Sequence, residues 1–203
     1  MEFMPNFQLH RPETIEEALR ARTDNDEALY VAGGTDMLVN VRRGIKQPQN
    51  LVDLSAISGM KSITVDSDGL HIGAGVTLKE LQDHEVVVKN YAAISQSAKS
   101  VAGATHQTYG TVGGNLCLDT RCLFYNQSEW WRQSNDYCLK ERGETCHVAP
   151  GGKRCFAAFS GDMAPSMLVY NAEVDIAGKN GFKRMPLTDL YQNDGLDHLT
   201  LKP

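Results

Sequence analysis

The chain has 203 residues, 41% of them hydrophobic and 22% charged, which fits one large folded domain or two small subdomains and excludes a disordered or collagen-like polymer. Twenty Lys and Arg against 25 Asp and Glu leave a formal charge of -5, so no basic field draws the chain to nucleic acid or anionic lipid. No apolar run reaches the roughly 20 residues of a membrane-spanning helix, and Met1 to Asn6 lacks the basic and apolar regions of an export signal, so a cytoplasmic protein is expected.

Thr14 with Glu17 reads as a capping box opening a helix through Ile15, Ala18 and Leu19. Leu29, Tyr30, Val31 and Ala32 form a short apolar strand that runs into Gly33, Gly34, Thr35 and Asp36. Residues 37–43 have helical spacing and end in two cations, with Gly44 as the stop. Residues 51–54 read as a strand, and 62–65 with 70–73 as a hairpin across the turn 66–69. Thr77 with Glu80 makes a second capping box, leading a helix through Leu78, Leu81 and His84. Tyr91, Ile94, Ala98 and Val101 form a helical stripe, while residues 167–170 and 173–176 read as a helix end and a strand. Between Asp119 and Cys155 neither period appears. The pattern predicts an α+β protein with one long irregular segment, and a loop of that length needs an organising agent.

All five cysteines fall between Cys117 and Cys155. In a reducing compartment, and with an odd count, a metal or redox centre is the better reading than disulfides. His10, His71, His84, His106 and His198 show no metal spacing and no triad partner, so no general acid, base or nucleophile is assigned.

Gly33 and Gly34, following a strand and preceding a helix, suit a backbone concavity for phosphate, and a tight turn without ligand is the alternative. Thr111, Val112, Gly113, Gly114 and Asn115 repeat that chemistry and could line the other side of a pyrophosphate. Neither motif is the G-x-G-x-x-G fingerprint or a phosphate-binding P-loop.

These two motifs, followed by Gly161, Asp162, Met163, Ala164 and Pro165, resemble the FAD-binding subunits of molybdenum hydroxylases, the xanthine dehydrogenase family, over essentially the whole chain. The resemblance implies a PCMH-type (VAO-like) FAD-binding fold of two subdomains, residues 1–60 and 61–203, with FAD in the cleft between them. It implies that both glycine loops bind the pyrophosphate through backbone amides and that Asp162 reaches the adenosine side. The FAD residues so implied are Leu29, Tyr30, Val31, Ala32, Gly33, Gly34, Thr35, Asp36, Val101, Thr111, Val112, Gly113, Gly114, Asn115 and Asp162.

Related subunits pass almost directly from the second motif to the third, whereas here residues of about 119–157 intervene. Cys117 belongs with the parent motif. The insertion keeps Cys122, Cys138, Cys146 and Cys155, the complement of thiolates for a 4Fe–4S cluster. Their offsets of 16, 8 and 9 contain none of the close pairs usual for structural zinc, although zinc and free cysteines stay open as alternatives. Phe124, Tyr125, Trp130 and Trp131 are read as a sheath around the centre, His147 as a polar neighbour, and Arg121, Lys153 and Arg154 as partial compensation for its charge.

Residues 122–132 are similar to the medium (β) subunits of 4-hydroxybenzoyl-CoA reductases. That likeness implies an electron-transfer subunit in a doubled heterotrimer with a molybdopterin catalytic subunit and a 2Fe–2S small subunit, taking electrons from ferredoxin toward molybdenum for reductive dehydroxylation of a phenolic thioester. Another molybdenum hydroxylase and a zinc-stabilised interaction module are the competing functions. Family members continue into a C-terminal domain, so a chain stopping at residues 199–203 on the way into a strand is expected to be a fragment or truncated product.

Overall fold

The structure, a computed structural model, describes residues 4–25 and 27–201; the export-signal reading at Met1 to Phe3 and the strand reading at Lys202 and Pro203 lie outside the described residues. The N-terminal part is built from β1 (Gln8–His10), α1 (Ile15–Asp24), β2 (Leu29–Val31), α2 (Met37–Arg42) and β3 (Asn50–Asp53). The three strands pair in the order β1-β3-β2, all parallel, with Gln8 opposite Asn50 and Leu29 opposite Leu51. Parallel strands require crossover connections, and α1 and α2 supply the helices. Ala18, Ala28, Val52 and Ile57 form the small core under this sheet.

Thr14 caps α1 by accepting the Glu17 amide at 3.1 Å, but the Glu17 carboxylate turns to the Glu13 amide (2.9 Å), so only half of the expected box closes. Gly44 ends α2 as expected, at φ +69 with its N–H on Val41 C=O at 3.0 Å.

The second part opens with the antiparallel hairpin β4 (Ile63–Val65) and β5 (Leu70–Ile72). α3 (Leu78–Asp83) carries a complete capping box: the Thr77 hydroxyl accepts the Glu80 amide at 3.1 Å, and the Glu80 carboxylate accepts the Thr77 amide at 2.8 Å. Four further helices follow, α4 (Glu85–Asn90), α5 (Ala92–Ser100), α6 (Ala104–Tyr109) and α7 (Val112–Leu116). The insertion adds the short α8 (Glu129–Ser134). α9 (Met163–Val169) and the hairpin β6 (Glu173–Gly178) with β7 (Gly181–Pro186) follow, and a 3-10 turn over Leu187–Leu190 comes after them.

A second, larger core gathers Leu78 and Leu81 of α3, Val87 of α4, Ile94 and Ala98 of α5, Val112 of α7 and Met163 of α9, all 4% exposed or less. The stripe read from residues 91–101 buries Ile94 and Ala98 as expected, with Tyr91 and Val101 flanking the helix.

Candidate cofactor sites

β2 delivers the chain into a turn through Ala32, Gly33 and Gly34 (φ +71), which leads to α2. The amides of Gly33, Gly34, Thr35 and Asp36 donate to no acceptor among the described residues. Successive unengaged N–H groups in one turn are what an anion-binding concavity offers. A Cβ added to Gly33 would lie 1.8 Å from the Tyr109 carbonyl oxygen, so the first loop rests directly on the chain entering the second motif. Gly33 and Tyr109, 76 residues apart in the chain, meet at this contact, which sets the first loop against the residues just before the second motif.

The second motif differs from expectation. It is a turn of helix rather than an open loop, capped by Thr111, whose hydroxyl accepts the Gly114 amide at 3.1 Å. Val112 N–H donates to Val76 C=O (2.9 Å), Gly113 N–H to Ala74 C=O (2.8 Å) and Asn115 N–H to Thr111 C=O (2.9 Å). These amides are therefore engaged within the protein, unlike those of residues 33–36. The open face of this motif is Gly114, where an added Cβ would meet only the Thr111 hydroxyl, at 3.0 Å.

Asn115 joins the second motif to the third, its side-chain oxygen accepting Met163 N–H at 3.0 Å. Gly161 is pressed so closely on the Asn115 carbonyl that a Cβ there would stand 2.6 Å from it. Asp162 is exposed just before α9. Val101, half-buried at the end of α5, is tied by its carbonyl to Gln107 of α6 (3.2 Å), which leads into Tyr109. Leu29, Tyr30 and Val31 lie on β2, an outer strand of the three-stranded sheet.

Cys122, Cys138, Cys146 and Cys155 all line one cavity, together with Phe124, Tyr125, Leu139, Lys140, His147, Val148 and Ala157. All are free thiols; Cys117 is exposed at the end of α7 and lies outside this lining. No group of three His, Cys, Asp or Glu among the described residues is placed to hold one metal ion. Four thiolates on one ion, with bonds of about 2.3 Å, would stand about 3.8 Å apart. Thiolates that each ligate a separate iron of a polynuclear centre stand wider. The void itself accommodates about one water, so a cluster must spread its walls.

Burial opposes ionisation of Cys146, but the amides of Ala149, Phe156 and Val148 together outweigh it and hold this thiol below the usual range. At Cys155 burial wins and pushes the thiol up, although the Ala157 amide (3.4 Å from Sγ) and Lys140 oppose it.

The cations sort differently from expectation. Arg121 pairs with Asp36 of the first loop, Arg154 donates to Asn193 C=O at 2.9 Å, and Lys153 is exposed. The cation that faces the cysteines is Lys140, missed in the sequence: its side chain is 5% exposed, with Nζ 2.7 Å from Asp119 and 4.9 Å from the Tyr125 ring centroid. Nothing in the spacing around Lys140 marked it among six cations. Of the expected sheath, Tyr125 is buried and Phe124 lines the cavity, with Trp131 packed behind Phe124 at 6.2 Å. Trp130 is 75% exposed and takes no part, because α8 turns it outward while Arg132 turns in.

The insertion is docked on the first loop's helix. Arg132, 1% exposed, donates to Gly44 C=O (3.1 Å) and Arg43 C=O (3.4 Å) beyond α2, and Arg43 donates to Asn126 C=O at 3.4 Å.

Residues 5–202 match the family described as the FAD binding domain in molybdopterin dehydrogenase. The chain is 29% identical over 204 residues to the FAD-binding subunit of an aldehyde oxidoreductase from Escherichia coli (strain K12), covering 95% of this chain and 62% of that protein. It is 25% identical over 195 residues to the nicotinate dehydrogenase FAD-subunit of Eubacterium barkeri, covering 95% and 53%. Among solved structures, a Cu,Mo-CO dehydrogenase superposes with a TM-score of 0.73 at 20% identity over 99% of this chain and 57% of that one. Quinoline 2-oxidoreductase from Pseudomonas putida 86 gives 0.72 at 20% identity, over 98% and 56%. The chain thus spans between half and two thirds of the length of these relatives. No helix among the described residues is long and apolar enough to cross a membrane.

Proposed function

Because the chain belongs to the family of FAD-binding domains of molybdopterin dehydrogenases, we propose that it is the electron-transfer subunit of a molybdenum enzyme carrying both FAD and a 4Fe–4S cluster. Bound FAD supplies exchange between two-electron and one-electron chemistry, and the protein's share is binding and tuning. Gly33, Gly34, Thr35 and Asp36 hold the diphosphate with their amides. Thr111, Val112, Gly113, Gly114 and Asn115 close the opposite side by shape, Gly114 giving the close approach, and Asp162 serves the adenosine end. Leu29, Tyr30, Val31, Ala32 and Val101 complete the lining. Cys122, Cys138, Cys146 and Cys155 are the cluster ligands, within residues of about 119–157 of the second subdomain; 1–60 and 61–203 are the two subdomains.

The observation that carries the reading is the convergence of four free cysteines on one cavity docked against the first glycine loop's helix. The insertion also supports the finer assignment: reductive dehydroxylation of 4-hydroxybenzoyl-CoA to benzoyl-CoA by a doubled heterotrimer, with a molybdopterin catalytic subunit, a 2Fe–2S small subunit and ferredoxin as electron donor, in anaerobic breakdown of aromatic compounds in the cytoplasm. The zinc-stabilised module is not favoured, since the chain is an FAD-binding family member and no three cysteines converge at single-ion distance among the described residues.

Protein purified without oxygen should contain FAD and about four iron atoms per chain, with a paramagnetic signal on reduction. Flavin without iron, or zinc in its place, refutes the cluster. Cys138→Ser should lose iron and keep flavin. Gly114→Val should weaken FAD and keep iron; unchanged flavin content in that variant removes the second motif from the site.

A further inference from the structure

Arg121 bridges the two cofactor sites. Its main chain forms an antiparallel bridge with Ala158, donating to Ala158 C=O at 2.7 Å and accepting Ala158 N–H at 2.9 Å. Cys122 is its neighbour in sequence and Ala157, one residue before Ala158, donates to Cys155 Sγ. Its backbone is thus fixed beside Cys122 and Ala157, which line the cysteine cavity. Its side chain runs the other way, to Asp36 Oδ1 in the first glycine loop. The second carboxylate oxygen of Asp36 accepts the side-chain amide of Asn40 at 3.0 Å, and Asn40 is 3% exposed.

Asp36 sits in the run of amides that points at the diphosphate, where a bare carboxylate would repel the ligand's own negative charge. Like charges side by side repel, and solvent screens a partly exposed group only in part. The pair is sheltered only in part, Asp36 being 24% and Arg121 35% exposed. Neutralising Asp36 removes the repulsion and anchors the turn at the same time.

We propose that Arg121 is a positioning residue for FAD: held in the cysteine loop, it cancels the charge of Asp36 and fixes the orientation of the loop that carries residues 33–36. This rests on the reading that the first loop binds the FAD diphosphate. A consequence is that Arg121, and not the cysteines, couples the insertion to flavin affinity without touching flavin.

The test titrates FAD into flavin-stripped full-length protein, followed by quenching of flavin fluorescence, for wild type, Arg121→Ala, Arg121→Lys, Asp36→Asn and the double variant Asp36→Asn/Arg121→Ala. Arg121→Ala should weaken binding by about five- to tenfold. Lys should restore most of the affinity, and the double variant should bind within about twofold of Asp36→Asn alone. Salt should narrow the gap between Arg121→Ala and wild type, which a purely structural defect would not show. Wild-type affinity in Arg121→Ala overturns the proposal, as does a double variant as weak as Arg121→Ala. Failure of wild type itself to bind FAD instead sinks the reading of the site. Circular dichroism of each variant verifies that the fold is retained, and the Lys variant keeps the comparison valid should the Ala variant not fold.

Discussion

Arg132 is 1% exposed, and its surroundings account for that burial. Glu129 accepts from it at 2.6 Å, the Arg43 and Gly44 carbonyls take two more of its donors, and Glu141 stands 3.2 Å from Nε, close enough for attraction though out of line for a hydrogen bond. Truncation leaves those carboxylates and carbonyls facing each other without the cation. Arg132→Met is expected to destabilise by about 3–5 kcal/mol, read from the urea midpoint at constant m; a loss below about 1 kcal/mol contradicts this account. Gly33 gives a second prediction at this scale. Gly33→Ala places a methyl on the Tyr109 carbonyl, so the first loop and the end of α6 must part. Both stability and FAD affinity should fall, and retention of both would falsify the contact between that loop and α6.

Among the elements, α3 offers a measurable cap. Thr77→Ala should cost about 1 kcal/mol. The Thr77 amide and hydroxyl hold the Glu80 carboxyl below the ordinary carboxylate range. A depressed folded-state pKa means that its stabilisation is present above the unfolded value and disappears as pH falls through the folded one. The stability gap between wild type and Glu80→Gln should therefore be full near neutrality and close in acid; a gap independent of pH removes the linkage. This cap was legible because Thr and Glu three residues apart before an apolar run admit little else. At Thr14 the same signature misled by one bond, since the Glu13 amide competes for Glu17. The β7 strand was illegible because residues 181–186 carry glycine, two cations and proline and are mostly exposed, so no alternation of burial was written into them. The helical character of residues 112–116 was hidden for the opposite reason: two glycines disfavour helix locally, and the bonds to Ala74 and Val76 impose the geometry from outside.

At the scale of the molecule, glycine spacing marks a close backbone approach and the cysteine content marks an unusual segment. Neither encodes that Arg121 and Arg132 reach back to the first loop and its helix. Between 119 and 157 the only helix is α8, so order there rests on polar struts, on the small apolar cluster of Ile45, Tyr125 and Cys138, and on whatever the cysteines hold. Removing iron by anaerobic chelation should open this segment to trypsin at Lys140, Arg142, Lys153 and Arg154 while the larger core stays intact. Equal resistance with and without iron would show that the struts suffice. Arg132 grips peptide oxygens, an atom that every amino acid brings, and asks nothing of the side chains on the surface that receives it. A graft anchored in that way is portable: a recipient scaffold can drift through most substitutions around Arg43 and Gly44 and still seat the loop, so long as its helix ends at the same place.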